Sequence, residues 1–203
     1  MSPIDRRTAL KLMGVTPFLG TLEWSPEEID RAALHVQTLP ASDYAPLFFT
    51  EHEWQTVQVL ADLIIPRDDR SGSATDAKAP EFVDFILNES SESRQSGMRR
   101  GFAWLDEESR SRFGVTFLGA TDVQRRQILD DIAWPARAPE RLSVGVSFFN
   151  SIRDLVAAGF FSSKMGYDDL QYIGNVPVSA FPGCPEPALR KLGVSYDLMP
   201  ERR

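Results

Sequence analysis

"TEHEWQTVQVLADLIIP", Thr50 to Pro66, decides the fold class. Thr50 followed three residues later by Glu53 is a capping-box pattern, in which the hydroxyl serves a backbone N–H of the first turn and the glutamate reaches back to the cap. Trp54, Val57, Leu60, Ala61 and Ile64 then recur at helical spacing until Pro66 ends the run. The stretch therefore predicts an amphipathic helix with one apolar face to bury, and the rest of the chain must supply what covers it.

Working outward, the same signals return. "RDDRSGSATDAKAP", residues 67–80, reads as a polar loop, and Pro80 suits the first turn of a helix whose apolar face is Phe82, Val83, Phe85 and Ile86. Residues 94–113 read as a helix with Met98, Phe102, Leu105 and Phe113 inward, weakened by Gly97 and Gly101 at about 1 kcal/mol each relative to Ala. Thr121 with Gln124 caps "DVQRRQILDDIAW", which Pro135 stops. Leu142 to Phe161 forms a longer helix carrying Val146, Phe149, Ile152, Leu155 and Val156. Upstream, "SPEEIDRAALHVQ" allows a short helix begun by Ser25 and Pro26 within an otherwise linker-like stretch, residues 25–49. No alternating strand series and no internal repeat occurs. The expectation is an all-α domain of five to seven helices around one core. An irregular carboxyl-terminal segment follows from Gly166, holding Pro177, Pro182, Pro185 and Pro187. The boundaries read as an amino-terminal segment 1–24, a linker 25–49, a helical domain 50–185 and a tail 186–203.

Bulk properties narrow the function classes. The 203 residues suffice for one domain, and 42% hydrophobic with 25% charged residues is ordinary globular usage. A net charge of -7 argues against nucleic acid, whose phosphates call for clustered Lys and Arg. Cys184 is the only cysteine, so the chain alone makes no disulfide, Cys-only zinc site or iron–sulfur cluster. No uninterrupted apolar run reaches the roughly 18 to 20 residues of a membrane span, so none is expected.

Groups able to do chemistry are scarce. His35 and His52 are the only histidines, and "HEWQT" lacks the second histidine of a zinc-protease helix, which leaves His52 as a first-turn surface residue. "DDRSGS", Asp68 to Ser73, lacks the ligand alternation of an EF-hand. No dinucleotide, phosphate-loop or nucleophile-elbow glycine pattern is present. The acidic runs Asp106–Glu108, Asp130–Asp131 and Asp168–Asp169 read as solvated helix faces, with general acid–base use the alternative. Cys184 has no neighbouring base and reads as a small buried hydrophobe rather than a nucleophile. "FFSSKMGYDDLQYIGNVP", Phe160 to Pro177, mixes aromatics with glycines after a long helix. Such a segment serves either as a core cap or as a docking surface, since tyrosine offers an apolar ring and a polar tip.

Three blocks of sequence resemble, in order and spacing, the gluconate 2-dehydrogenase subunit 3 family. They are an Ile-Pro-x-Asp element, here Ile65, Pro66, Arg67 and Asp68; a Gly-x-x-x-Leu-Asp block, Gly101 to Asp106; and Gly-Phe-Phe-x-Ser, Gly159 to Ser163, followed by Tyr-x-Gly-Asn, Tyr172 to Asn175. The resemblance implies a small, non-catalytic subunit that binds no cofactor or metal itself. It would stabilise, and escort for export, a large flavoprotein of the glucose-methanol-choline type carrying FAD. The complex would oxidise a sugar or glycoside, by preference at the C3 hydroxyl, and often pass electrons to a cytochrome c. The partner interface is expected at Ile65, Pro66, Asp68, Phe160, Phe161, Tyr167, Tyr172, Gly174 and Asn175. At the amino terminus Arg6, Arg7, Leu10 and Lys11 resemble a bacterial twin-arginine export signal, implying a periplasmic site; the other readings are an amphipathic first helix and a cytoplasmic complex. The competing functional readings are a general helical adaptor or export chaperone, and a solitary enzyme using the acidic loop, His52 or Cys184.

Overall fold

A computed structural model describes residues 24–40, 44–171 and 183–195; Arg6, Arg7, Leu10, Lys11, Tyr172, Gly174 and Asn175 lie outside them. The described residues form α1 (Pro26–Thr38), α2 (Glu51–Ile64), α3 (Ala79–Asn88), α4 (Glu92–Phe113), α5 (Asp122–Ile132), a 3-10 turn (Glu140–Leu142), α6 (Ser143–Phe161), α7 (Lys164–Asp169) and α8 (Glu186–Leu192). No strand occurs among them, so the protein is all-α as expected. Capping boxes close at Ser25/Glu28, Thr50/Glu53 and Thr121/Gln124, which is why those three starts are readable locally. Two short helices, α7 and α8, occupy the segment expected to be irregular.

The chain divides into two units, residues 1–172 and 173–203. In the second, α8 begins after Pro185, stops at the left-handed Gly193 and has no buried residue. Cys184, read as buried, is exposed there.

In the first unit α6 is the central helix and touches α1 through α5 as well as α7. Phe148, Phe149, Ile152, Leu155, Val156 and Phe160 are buried along it. With the preceding 3-10 turn, Glu140–Phe161 is long and apolar enough by length and composition to cross a membrane. Arg153 and Asp154 interrupt it, which is why no uninterrupted apolar run marks it in the sequence. In the fold most of its large apolar side chains pack on neighbouring helices, while Val144 and Phe161 at its ends stay partly exposed.

Two glycines set the closeness of α4 and α6. A Cβ on Gly101 of α4 would overlap the ring of Phe148, and one on Gly145 of α6 would overlap the indole of Trp104. Each helix thus seats an aromatic of the other against bare backbone. Phe102, Phe148 and Phe49 continue the contact edge to face, with centroids 5.0 and 5.5 Å apart.

Residues 44–49, read as linker, are instead built into the core. Asp84 of α3 is fully buried. Its carboxylate accepts from the Tyr44 hydroxyl and the Leu47 amide, each at 2.7 Å, and from the Phe48 and Phe49 amides at 3.0 Å. Four donors make burial of the charge tolerable and fix the entry to α2, where Phe48 and Phe49 turn inward. Arg99 of α4 covers Phe48, its carbon Cζ 4.3 Å from the ring centre, and donates to the Phe48 carbonyl at 2.8 Å.

Candidate functional site

The loop that follows α2 is held by its own side chains. Ile65 closes the helix by donating its amide to Ala61 at 2.9 Å, and its carbonyl accepts from the Ala74 amide at 3.0 Å, so the loop returns to where it began. The Asp68 carboxylate accepts from the Ser71 amide at 2.9 Å and the Arg70 amide at 2.8 Å, and those two N–H groups hold its carboxyl below the usual range. Asp76 accepts from the Ser73 amide at 2.7 Å and hydroxyl at 3.0 Å and pairs with Arg67 at 2.6 Å; the Ser73 amide above all depresses its titration. Asp62 of α2 accepts from both the amide and the hydroxyl of Thr75, at 2.9 and 2.8 Å. Lys78 then sits in the left-handed region at φ 57° and reaches the Leu39 and Pro40 carbonyls with Nζ at 3.1 Å. What reads in sequence as a solvated polar loop is therefore a stapled one, and Ser73 and Ala74 are buried within it.

The second half of the site is the corner between α6 and α7. Ser162 and Ser163 donate to the Ala158 and Phe160 carbonyls at 2.7 and 2.6 Å, and Ser163 also accepts from the Gly166 amide at 3.1 Å, starting α7 immediately. Gly166 is required by space, because a Cβ there would run into the Phe160 carbonyl. Phe160 is 1% exposed and belongs to the core, so its ring is not a surface group as the sequence suggested. Phe161, Tyr167 and Leu170 are 40%, 46% and 59% exposed.

These two parts meet. Arg70 of the loop donates to the Asp169 carbonyl and pairs with its carboxylate at 3.2 Å. Between them and α1 opens a groove of about 610 Å³ with an apolar floor of Ala33, Val36, Ala77, Phe82 and Met165. A side chain at Gly72 would crowd Asp76 and Met165, so that glycine keeps the mouth open. Ile65 is half-buried behind the loop while Pro66 and Asp68 are exposed on it. Of the expected interface residues, the structure thus groups Pro66, Asp68, Phe161 and Tyr167 on exposed parts of two adjoining segments. It assigns Phe160 to packing.

Other charged groups prove to be braces. His52 Nε2 lies 2.7 Å from Asp106, whose second oxygen accepts from the Phe117 amide at 2.9 Å, with Arg110 3.5 Å away. Asp106, read as part of a solvated acidic run, is buried and joins α2, α4 and the turn after α4. Glu108 pairs with Arg112, which also reaches Asp131 at 2.6 Å, tying α4 to α5. No group of three or more His, Cys, Asp or Glu placed to hold a metal occurs among the described residues. The spacing Gly-x-x-x-Leu-Asp is the signal that could have marked Asp106, since its glycine and its aspartate both do packing work here.

A family model described as gluconate 2-dehydrogenase subunit 3 matches residues 51–183. No curated protein and no solved structure matches the chain. The matched span takes in the stapled loop, the α4 block with Gly101 and Asp106, and the α6–α7 corner, while α1, which adds Ala33 and Val36 to the groove, precedes it; with most of its length matched, the chain belongs to the gluconate 2-dehydrogenase subunit 3 family.

Proposed function

We propose that this chain, a subunit of a gluconate 2-dehydrogenase-type complex by its family, stabilises a large FAD-binding flavoprotein of the glucose-methanol-choline type and escorts it for export. In this reading the flavoprotein oxidises a sugar or glycoside, by preference at C3. The secondary alcohol passes a hydride to the flavin and loses a proton to become a ketone, and a cytochrome c takes the electrons. The small subunit supplies no reacting group. The observation that carries the docking role is the convergence of two segments 99 positions apart, tied by Arg70 and Asp169, beside the exposed Phe161, Tyr167 and Leu170. Such apolar side chains around a preformed groove are suited to a lasting interface, for which a buried area above roughly 1,600 Å² is the expectation. Export through the twin-arginine route to the periplasm is supported by Arg6, Arg7, Leu10 and Lys11.

The test is co-expression of the tagged chain with a glucose-methanol-choline-type flavoprotein of the same organism, followed by size measurement and an absorption spectrum. A complex of fixed stoichiometry with a flavin band is expected, together with loss of flavin or solubility when the large subunit is made alone. A large subunit equally soluble, flavinated and active by itself would overturn the accessory role. A small subunit that leaves after folding would replace it with a chaperone.

A further inference from the structure

We propose that the cleft between α4 and α6 is a second seat for the large subunit, taking a segment of it that carries a carboxylate beside an apolar side chain. The inference rests on the docking role proposed above and adds a second place where the partner is held, with its own chemistry. The cleft measures about 470 Å³ and is lined by Trp24, Gly97, Met98, Arg100, Val144 and Phe148, among others. It opens on the same side of the molecule as the groove beside Arg70. Val144 of α6 lines the cleft and Ser162, the cap of α6, lines the groove. The two are 18 positions apart, about five whole turns, so they project from one side of the helix roughly 27 Å from each other. The α1 helix gives the same alignment: Trp24, just before it, walls the cleft, and Ala33 and Val36 towards its end floor the groove. A standard interface covers about 800 Å² on each partner, a patch roughly 32 Å across, so one partner surface reaches both openings.

The charge of the cleft selects what enters it. The chain as a whole carries a net charge of -7, yet the residues lining the cleft include Arg94 and Arg100 and no Asp or Glu. Arg94 is already engaged, with Cζ 4.7 Å from the centre of the Trp24 ring and Nη1 3.4 Å from Glu28. Arg100 is exposed and makes no side-chain hydrogen bond or ion pair among the described residues, so its guanidinium is the one left to receive a partner's carboxylate. One turn earlier on the same face of α4, Gly97 looks onto open space, since a Cβ there would meet nothing within 4 Å. An apolar side chain of the partner can therefore pass over Gly97 to the floor of Met98 and Phe148, with the half-exposed Val144 as its wall. Carboxylate and anchor enter side by side because their two seats are neighbours on one helix.

The experiment is titration calorimetry of the full chain against a glucose-methanol-choline-type flavoprotein of the same organism, at low and at high salt. Two variants are compared with wild type: Arg100→Glu, which reverses the charge at the rim, and Gly97→Trp, which fills the cleft from its open side. Association at least about tenfold weaker for both at low salt is expected, with a flatter salt dependence for Arg100→Glu and an unchanged melting temperature for that variant alone in solution. Arg100→Glu binding as tightly as wild type would overturn this seat, and the docking role would stand if Tyr167→Ala still weakened the complex. A wild-type chain with no affinity for the flavoprotein would overturn the docking role and this seat with it. The Arg100→Glu comparison decides alone should Gly97→Trp fail to fold.

Discussion

Asp84 shows what one residue can fix. Its fully buried carboxylate holds three backbone amides and the Tyr44 hydroxyl, so removing it leaves the buried Phe48 and Phe49 amides unpaired and frees the part-buried Tyr44 and Leu47 donors. Asp84→Ala should cost about 3–5 kcal/mol of unfolding free energy, read from urea titration, and loosen Phe48 and Phe49 before the rest of the core. Tyr44 gives a pH signature. Burial, and after it the hydrogen bond to Asp84, push its phenol well above the usual value near 10. A group whose folded pKa is raised contributes stability that is whole below the unfolded pKa and lost as pH rises toward the folded one. Thermal stability should therefore hold steady to about pH 10 and fall above it. Tyr44→Phe should flatten that alkaline decline while lowering the plateau by about 1 kcal/mol for the lost hydrogen bond. Neither role is legible in the sequence. Asp84 sits in "FVDFI", where a lone carboxylate looks like a helix's solvent face, and its donors come from residues 35 to 40 positions earlier.

Among elements, α4 contains its own control experiment. Gly97 and Gly101 are one helical turn apart and read alike in the sequence, as weak points in a helix. Their surroundings are opposite: open space above Gly97, the Phe148 ring above Gly101. Gly97→Ala should stabilise by about 0.5–1 kcal/mol through reduced backbone entropy. Gly101→Ala should destabilise by about 1–3 kcal/mol or more, because α6 must shift to accommodate it. Melting temperatures of the two variants should move in opposite directions. The helix starts were readable since a capping box is complete within four residues. Which face of α4 meets an aromatic depends on α6, some 45 residues later, and no local pattern announces it. The stapled loop eluded the sequence for the same reason: its polar residues are those of a solvated loop, and only their mutual geometry makes it rigid.

On the scale of the whole molecule, Phe160 and Phe161 are neighbours with different duties. Their rings meet edge to face at 5.1 Å, one in the core and one at the surface. Phe160→Ala should lower the stability of the isolated subunit by about 3–5 kcal/mol. Tyr167→Ala should weaken association with the large subunit by more than about 2 kcal/mol, measured by titration calorimetry. Equal association for Tyr167→Ala and wild type would move the interface away from the α6–α7 corner. The sequence identified both halves of this face as segments worth watching, through blocks that recur in a family. Their meeting could not be read from it, since the joining pair spans 99 positions.

That separation also has a meaning in time. At about 5–20 residues per second, synthesis of the stretch between Arg70 and Asp169 takes roughly 5–20 s. Until then the loop that bears Arg70 has no second wall to lean on. On the docking role proposed above, a large subunit that meets a chain truncated before α7 would find only half of the groove. If the large subunit docks on this face as proposed, the Arg70–Asp169 tie would act as a completion check, reserving assembly for chains translated at least through α7.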